Sequence, residues 1–122
     1  MNKFLTILLL AFSLNCSAEP FEDWTTTEKV LFTASQLTLI ADYKTTKNLL
    51  YSSNAYYETN PFLGRNPSKQ RLNLWFAGAL IGNYFLSDYL GHEYRTTWLS
   101  ALIVTELLYS SNNIKIGGKI SF

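Results

Sequence analysis

Residues 72–90 read LNLWFAGALIGNYFLSDYL, nineteen residues whose only formal charge is Asp88. A bilayer span needs about 20 predominantly apolar residues, so this run is long enough to cross one. Two other apolar stretches flank it. The first covers residues 30–41, VLFTASQLTLIA, and can continue through Asp42 and Tyr43 toward Leu50. The last covers residues 96–109, TTWLSALIVTELLY, with Glu106 its only charge. It reaches spanning length only when counted on to Asn113, and the first reaches it only if Asp42 is tolerated.

Mean hydropathy is just +0.02, because three apolar stretches are averaged with polar loops that hold most of the charge. Charged residues make up 16% of the 122, against roughly 25% in an average soluble domain. Aromatics reach 16%, which excludes a disordered chain. A net charge of +1 leaves no basic excess for phosphates, so no nucleic-acid partner is expected. One Cys and one His exclude a disulfide framework and a Cys/His metal cluster.

The N-terminus carries export signals. Lys3 supplies a positive charge, Phe4 to Leu14 an apolar core, and Cys16, Ser17 and Ala18 the small residues of a cleavage site. Cleavage after Ala18 gives a signal peptide over 1–18 and a single mature domain over 19–122. Lipidation at Cys16 and a retained anchor are the alternatives, the first weakened by Asn15 just before the cysteine.

Helix signals follow. Thr25 and Glu28 have capping-box spacing, and Asn66-Pro67-Ser68 starts the second helix with Pro67 in its first turn. Asn112-Asn113 and Gly117-Gly118 stop the third. Tyr-Ser-Ser-Asn occurs at 51–54 and again at 109–112, each after Leu-Leu, which suggests a shared helix stop. The expected fold is all-α: a signal peptide, then a three-helix transmembrane bundle with a long ordered loop between helices 1 and 2. Loop charge agrees with that topology. Lys44, Lys47, Arg65, Lys69, Arg71, Lys115 and Lys119 fall on the inside, and only Lys29 and Arg95 outside. Trp24, Trp75 and Trp98 each open a stretch, where interfacial aromatics sit. The expected location is the bacterial inner membrane, with the lipid bilayer as partner.

Two other locations are considered. In a soluble periplasmic helical domain, the stripe Ser35, Thr38, Asp42, Thr45 would face water. In an outer-membrane protein, the alternation from Ile114 to Phe122 would be a terminal strand, but a barrel needs at least eight strands.

Ionisable residues in apolar stretches are costly and therefore functional candidates. Asp42, Asp88 and Glu106 are one per stretch, and Asp88 and His92, four residues apart, share a helix face. Asp88, His92 and Glu106 form a possible polar cluster; with Asp42 they would serve a membrane-embedded enzyme or ion pathway. Gly78 and Gly82 form G-x-x-x-G, a close-packing motif for helices of one chain or of two copies.

Asp42-x-x-Thr45-Thr46, Glu58-Thr59-Asn60-Pro61-x-Leu63-Gly64-x-x-Pro67-Ser68, and Asn113 with Ile116-Gly117 together resemble uncharacterised small polytopic membrane proteins of bacteria and phages. The resemblance covers most of the mature chain. It implies a multi-helix membrane protein without a known activity. Within it Asp42, Thr45, Thr46, Glu58, Asn60, Pro61 and Gly64 form a structural motif, in which a loop Glu or Asn ties down the end of the first helix.

Phosphate loops, dinucleotide fingerprints, zinc-protease and nucleophile-elbow motifs are all missing from the sequence, so neither cofactor nor metal is expected. The expected role is a structural, interaction or accessory one in the membrane.

Overall fold

A computed structural model describes residues 20–52, 63, 64 and 66–120. All regular structure among them is helical: a short 3-10 turn η1 (Phe21–Asp23), α1 (Thr26–Ser52) and α2 (Lys69–Lys115). The segment 1–18 with Cys16, and the loop residues Glu58, Asn60 and Pro61, lie outside the described residues.

α1 starts where Thr25 and Glu28 satisfy each other. The Thr25 amide donates to Glu28 Oε2 at 2.8 Å, and the Glu28 amide donates to Thr25 Oγ1 at 3.1 Å. α2 starts two residues later than its proline suggests. Ser68 is the N-cap, accepting from the Arg71 amide at 3.1 Å. Pro67 precedes the cap, buried, and its carbonyl accepts from Tyr51 Oη at 2.9 Å. Gly64 has φ +82 beside the buried Leu63, a backbone conformation that favours glycine.

α2 is two helices in space. Gly91 breaks it at φ 69 and ψ 178, a conformation essentially confined to glycine. The chain folds back there, giving a first arm over 69–90 and a returning arm over 92–115. The contacts fix the directions. Gln36 meets Leu80 and Tyr43 meets Asn73, so the first arm is antiparallel to α1. Glu28 meets Arg95 and Asn113 meets Asp42, so the returning arm is parallel to it. The result is an up-down-up bundle of three helical rods.

The tail is fixed by a Schellman motif. Gly117, at φ 111, donates to the Ile114 carbonyl at 3.1 Å, and Gly118 donates to the Asn113 carbonyl at 2.8 Å. The second Tyr-Ser-Ser-Asn therefore lies within the helix and does not stop it; the glycine pair does.

Polar residues occupy the interior. Ser35, Thr45, Ser87 and Arg95 have no exposure, and Glu28 has 1%. Large apolar residues face outward, with Leu108 at 67%, Leu74 at 66% and Phe85 at 63% exposed. The stripe through Ser35 and Thr45 therefore faces the bundle, not water. Apolar packing closes the two ends. Leu63, Leu72 and Phe76 cluster with Tyr43, Leu50 and Tyr51 at one end. At the other, Trp24 contacts Phe21, Phe32 and Tyr84 at centroid distances of 4.8, 5.5 and 6.2 Å. Among the described residues no helix is long and apolar enough to cross a membrane. The all-α class stands, and a transmembrane bundle does not follow from helix hydropathy.

Candidate functional site

Three polar layers cross the bundle axis, at α1 positions 28, 35 and 42. The spacing of seven brings each to the same face, as at the core positions of a coiled coil.

The first layer closes the hairpin. Arg95 Nη1 donates to Glu28 Oε2 at 3.1 Å, an ion pair excluded from water on both sides. Its Nε donates to the Ser87 carbonyl at 2.7 Å, and Nη2 makes a longer 3.5 Å contact with the Asp88 carbonyl. These carbonyls end the first arm, where a cation complements the helix dipole. The guanidinium lies 4.2 Å from the Trp24 ring centroid. One side chain thus joins η1, α1 and both arms. Exposed His92 completes the layer, its Nδ1 donating to Glu28 Oε1 at 2.6 Å.

The Glu28 carboxyl responds to these partners. Burial alone would raise it, but the Thr25 amide, His92 and the Arg95 charge outweigh that and hold it below its ordinary value of 4.5.

The middle layer centres on buried Asn83. Its Nδ2 donates to Ser35 Oγ at 2.8 Å and Gln36 Oε1 at 3.1 Å. Its Oδ1 accepts from Trp98 Nε1 at 2.8 Å and Ser87 Oγ at 3.3 Å. Gln36 Nε2 donates to the Leu80 carbonyl at 3.2 Å. Trp98 is therefore tied to the interior of the bundle, not only to its surface.

The third layer gathers Asp42, Thr45, Thr46, Glu106 and Asn113. Asp42 Oδ1 accepts from Thr46 Oγ1 at 3.1 Å and Asn113 Nδ2 at 3.0 Å. Asn113 Nδ2 also lies 3.0 Å from both threonine hydroxyls. Thr45 Oγ1 donates back to the Ala41 carbonyl at 2.9 Å. Glu106 neighbours Asp42. Its Oε2 and the Ser110 hydroxyl, one turn on, are buried without hydrogen-bond partners.

The residues singled out from sequence fall in different places. Asp42, Thr45 and Thr46 lie in the third layer, and Gly64 precedes α2. Asp88 and His92 do not share a helix face, because Gly91 between them breaks the helix; His92 instead meets Glu28. Asp88 Oδ1 is buried without a partner. Glu106 joins Asp42, fourteen residues along α1 from Glu28, or roughly 21 Å at 1.5 Å per residue. The proposed Asp88, His92 and Glu106 cluster is thereby divided between two separate layers. Among the described residues no three of His, Cys, Asp and Glu converge to hold a metal ion.

Gly78 and Gly82 face outward, and a Cβ built on either meets nothing within 4 Å. Among the described residues they pack no helices together. Glu28, Asn83 and Arg95 are the key interior residues that sequence reasoning missed. Their signals were present: the spacing 28, 35, 42, and a glycine that turns Arg95 back toward residues 87 and 88. No protein-family model matches this chain, and neither a curated protein nor a solved structure does.

Proposed function

We propose that the protein is a small integral membrane protein of the bacterial inner membrane with a structural or interaction role. The observation carrying this reading is the partition of side chains, with polar groups gathered inside the bundle, most of them hydrogen-bonded, and large apolar groups outside it. In lipid, polar and ionisable groups must face the bundle interior and find partners there. A hydropathy average over one helix cannot register such a partition. The apolar stretches from Val30 toward Leu50, from Leu72 to Leu90 and from Thr96 onward present their outer faces to acyl chains. Glu28, His92 and Arg95 lie outside those stretches, at the hairpin end.

Membrane fractionation with reporter fusions after Arg71, Tyr94 and Phe122 tests this. The expected result is membrane retention, with the fusions after Arg71 and Phe122 on the cytoplasmic side and the one after Tyr94 outside. A soluble periplasmic product overturns it.

Self-association is a second element of the proposal, favoured by the open surface at Gly78 and Gly82. Small residues four apart let helices of two copies approach closely. Gly82→Ile leaves the bundle unobstructed, so reduced cross-linking between copies with unchanged helicity is expected. Unchanged cross-linking removes these glycines from any interface.

A further inference from the structure

We propose that the end of the bundle closed by Leu63, Leu72 and Phe76 binds the headgroups of anionic phospholipids, with their acyl chains lying along the apolar faces beside it. This rests on the membrane placement proposed above and names the lipid class that the placement favours. α1 ends there, the first arm begins there and the returning arm comes back to it. Tyr43 Oη donates to Asn73 Oδ1 at 2.6 Å, Asn113 Nδ2 donates to Asp42 Oδ1 at 3.0 Å, and the Lys119 amide donates to Asn48 Oδ1 at 3.0 Å.

Charge of one sign gathers at this end. Lys44 and Lys47 come from α1, Lys69 and Arg71 from the first arm, Lys115 from the returning arm and Lys119 from the tail. Among the described residues from 43 to 52, 66 to 87 and 107 to 120 there is no Asp or Glu. The two nearby carboxyls are turned inward: Asp42 Oδ1 accepts from Thr46 Oγ1 and Asn113 Nδ2, and Glu106 is buried. The hairpin end has the opposite sign, with Glu22, Asp23 and Glu93 exposed and Arg95 buried.

Aromatic rings hold three of the lysines at the rim. The Lys44 and Lys47 ammonium groups lie 5.9 and 5.5 Å from the Tyr43 ring centroid, and that of Lys69 lies 5.5 Å from the centroid of Tyr51. Exposed Trp75 and Tyr109 stand at the same end, and Trp and Tyr collect at headgroup level. Next to the cations the surface is aliphatic. Leu74 lies one turn along from Arg71, and Ile114 and Ile116 flank Lys115, all three exposed. That adjacency selects the partner. A nucleic acid or an acidic peptide would use the cations and leave the aliphatic groups in water. A phospholipid uses both, its phosphate against the ammonium groups and its chains against the apolar faces. A zwitterionic headgroup brings its own cation, which the lysines repel, so the site favours a headgroup with net negative charge.

The full chain reconstituted into vesicles of phosphatidylcholine, alone or mixed with phosphatidylglycerol, tests this. Flotation reads incorporation, and spin-labelled lipids of the two kinds read which headgroup the protein holds. Incorporation into both vesicles is expected, with a severalfold preference for phosphatidylglycerol that falls as salt rises. Lys47→Gln, Lys69→Gln, Lys115→Gln and Lys119→Gln together should remove most of the preference. Lys→Arg at the same four positions should keep it, and so should Lys29→Gln at the hairpin end. Circular dichroism checks that each variant keeps its helical content; if the glutamine variant does not, the salt titration of the wild type decides. An incorporated wild type with no preference, a preference insensitive to salt, or one that survives the four glutamines overturns this inference and leaves the membrane placement standing. Failure to incorporate into either vesicle overturns the placement and this inference with it. A preference erased by soluble glycerol phosphate marks a site for free phosphate and overturns the lipid assignment.

Discussion

Arg95 and Glu28 illustrate how much a single buried pair can hold in place. Each has lost its water, and each has replaced it with hydrogen bonds from two or more elements. Removing Arg95 leaves the buried Glu28 carboxylate with only exposed His92 and the Thr25 amide, and breaking a buried pair typically costs about 3–5 kcal/mol. Arg95→Met should therefore destabilise the purified chain by that order in thermal or denaturant unfolding. Adding Glu28→Gln to Arg95→Met should recover a substantial part of the loss, because no buried charge then lacks compensation. Additive losses would argue against direct coupling. The same carboxyl gives a pH dependence. Its folded value lies below the ordinary 4.5, so its contribution is complete above that and vanishes as pH falls through the lowered folded value. Glu28→Gln should flatten this acid limb, measured as the slope of stability against pH below about 4.5. An acid limb of unchanged slope would assign the loss to other groups.

At the scale of elements, glycine decides where rods end. Gly91 stands in a conformation that other residues adopt only with strain of order 1–3 kcal/mol, and it sits buried beneath the layer that Arg95 closes. Gly91→Ala should destabilise the hairpin by that amount. Gly118→Ala fails for a different reason: its Cβ would lie 2.9 Å from the Asn113 carbonyl and 3.1 Å from that of Thr45. Backbone cannot yield as a side-chain tip can, so the tail must lift from α1. Faster amide exchange at residues 117–119 is the expected readout. In contrast, Gly78→Ala should stabilise the bundle by up to about 1 kcal/mol through helix propensity alone, because its Cβ enters open space. Loss of stability there would reveal a close neighbour absent from the isolated chain. These outcomes also show what the sequence could convey. Three helical stretches, the capping box at Thr25 and the glycine stop were legible because each has local spacing. The Asp88 and His92 pairing was misread because helical spacing was carried through a glycine whose backbone angles are set by tertiary contacts. Asp42, Thr45, Thr46 and Asn113 were legible only as a motif. Nothing local says that Asn113 crosses to α1, since 71 residues separate it from Asp42.

The whole molecule is arranged with its polar groups inward, and that arrangement separates two environments by experiment. In water, exposed Phe85 and Val104 are ordinary surface positions, where substitution usually changes stability by less than about 0.5 kcal/mol. On the proposed bilayer placement both face acyl chains, where an Arg at mid-depth costs about 2.5–3.5 kcal/mol on insertion scales. Phe85→Arg and Val104→Arg should each reduce the carbonate-resistant membrane fraction and accumulation of the chain, and together should do so more severely. An interior control keeps this distinct from general misfolding. Asn83→Leu makes the chain more apolar, so hydropathy alone predicts better insertion. It also strips partners from buried Ser35 and from Trp98 Nε1, each lost partner costing about 1–3 kcal/mol. The expected variant therefore inserts but unfolds more readily in detergent. Arginine variants that insert and accumulate like the wild type would place the apolar outer surface somewhere other than lipid.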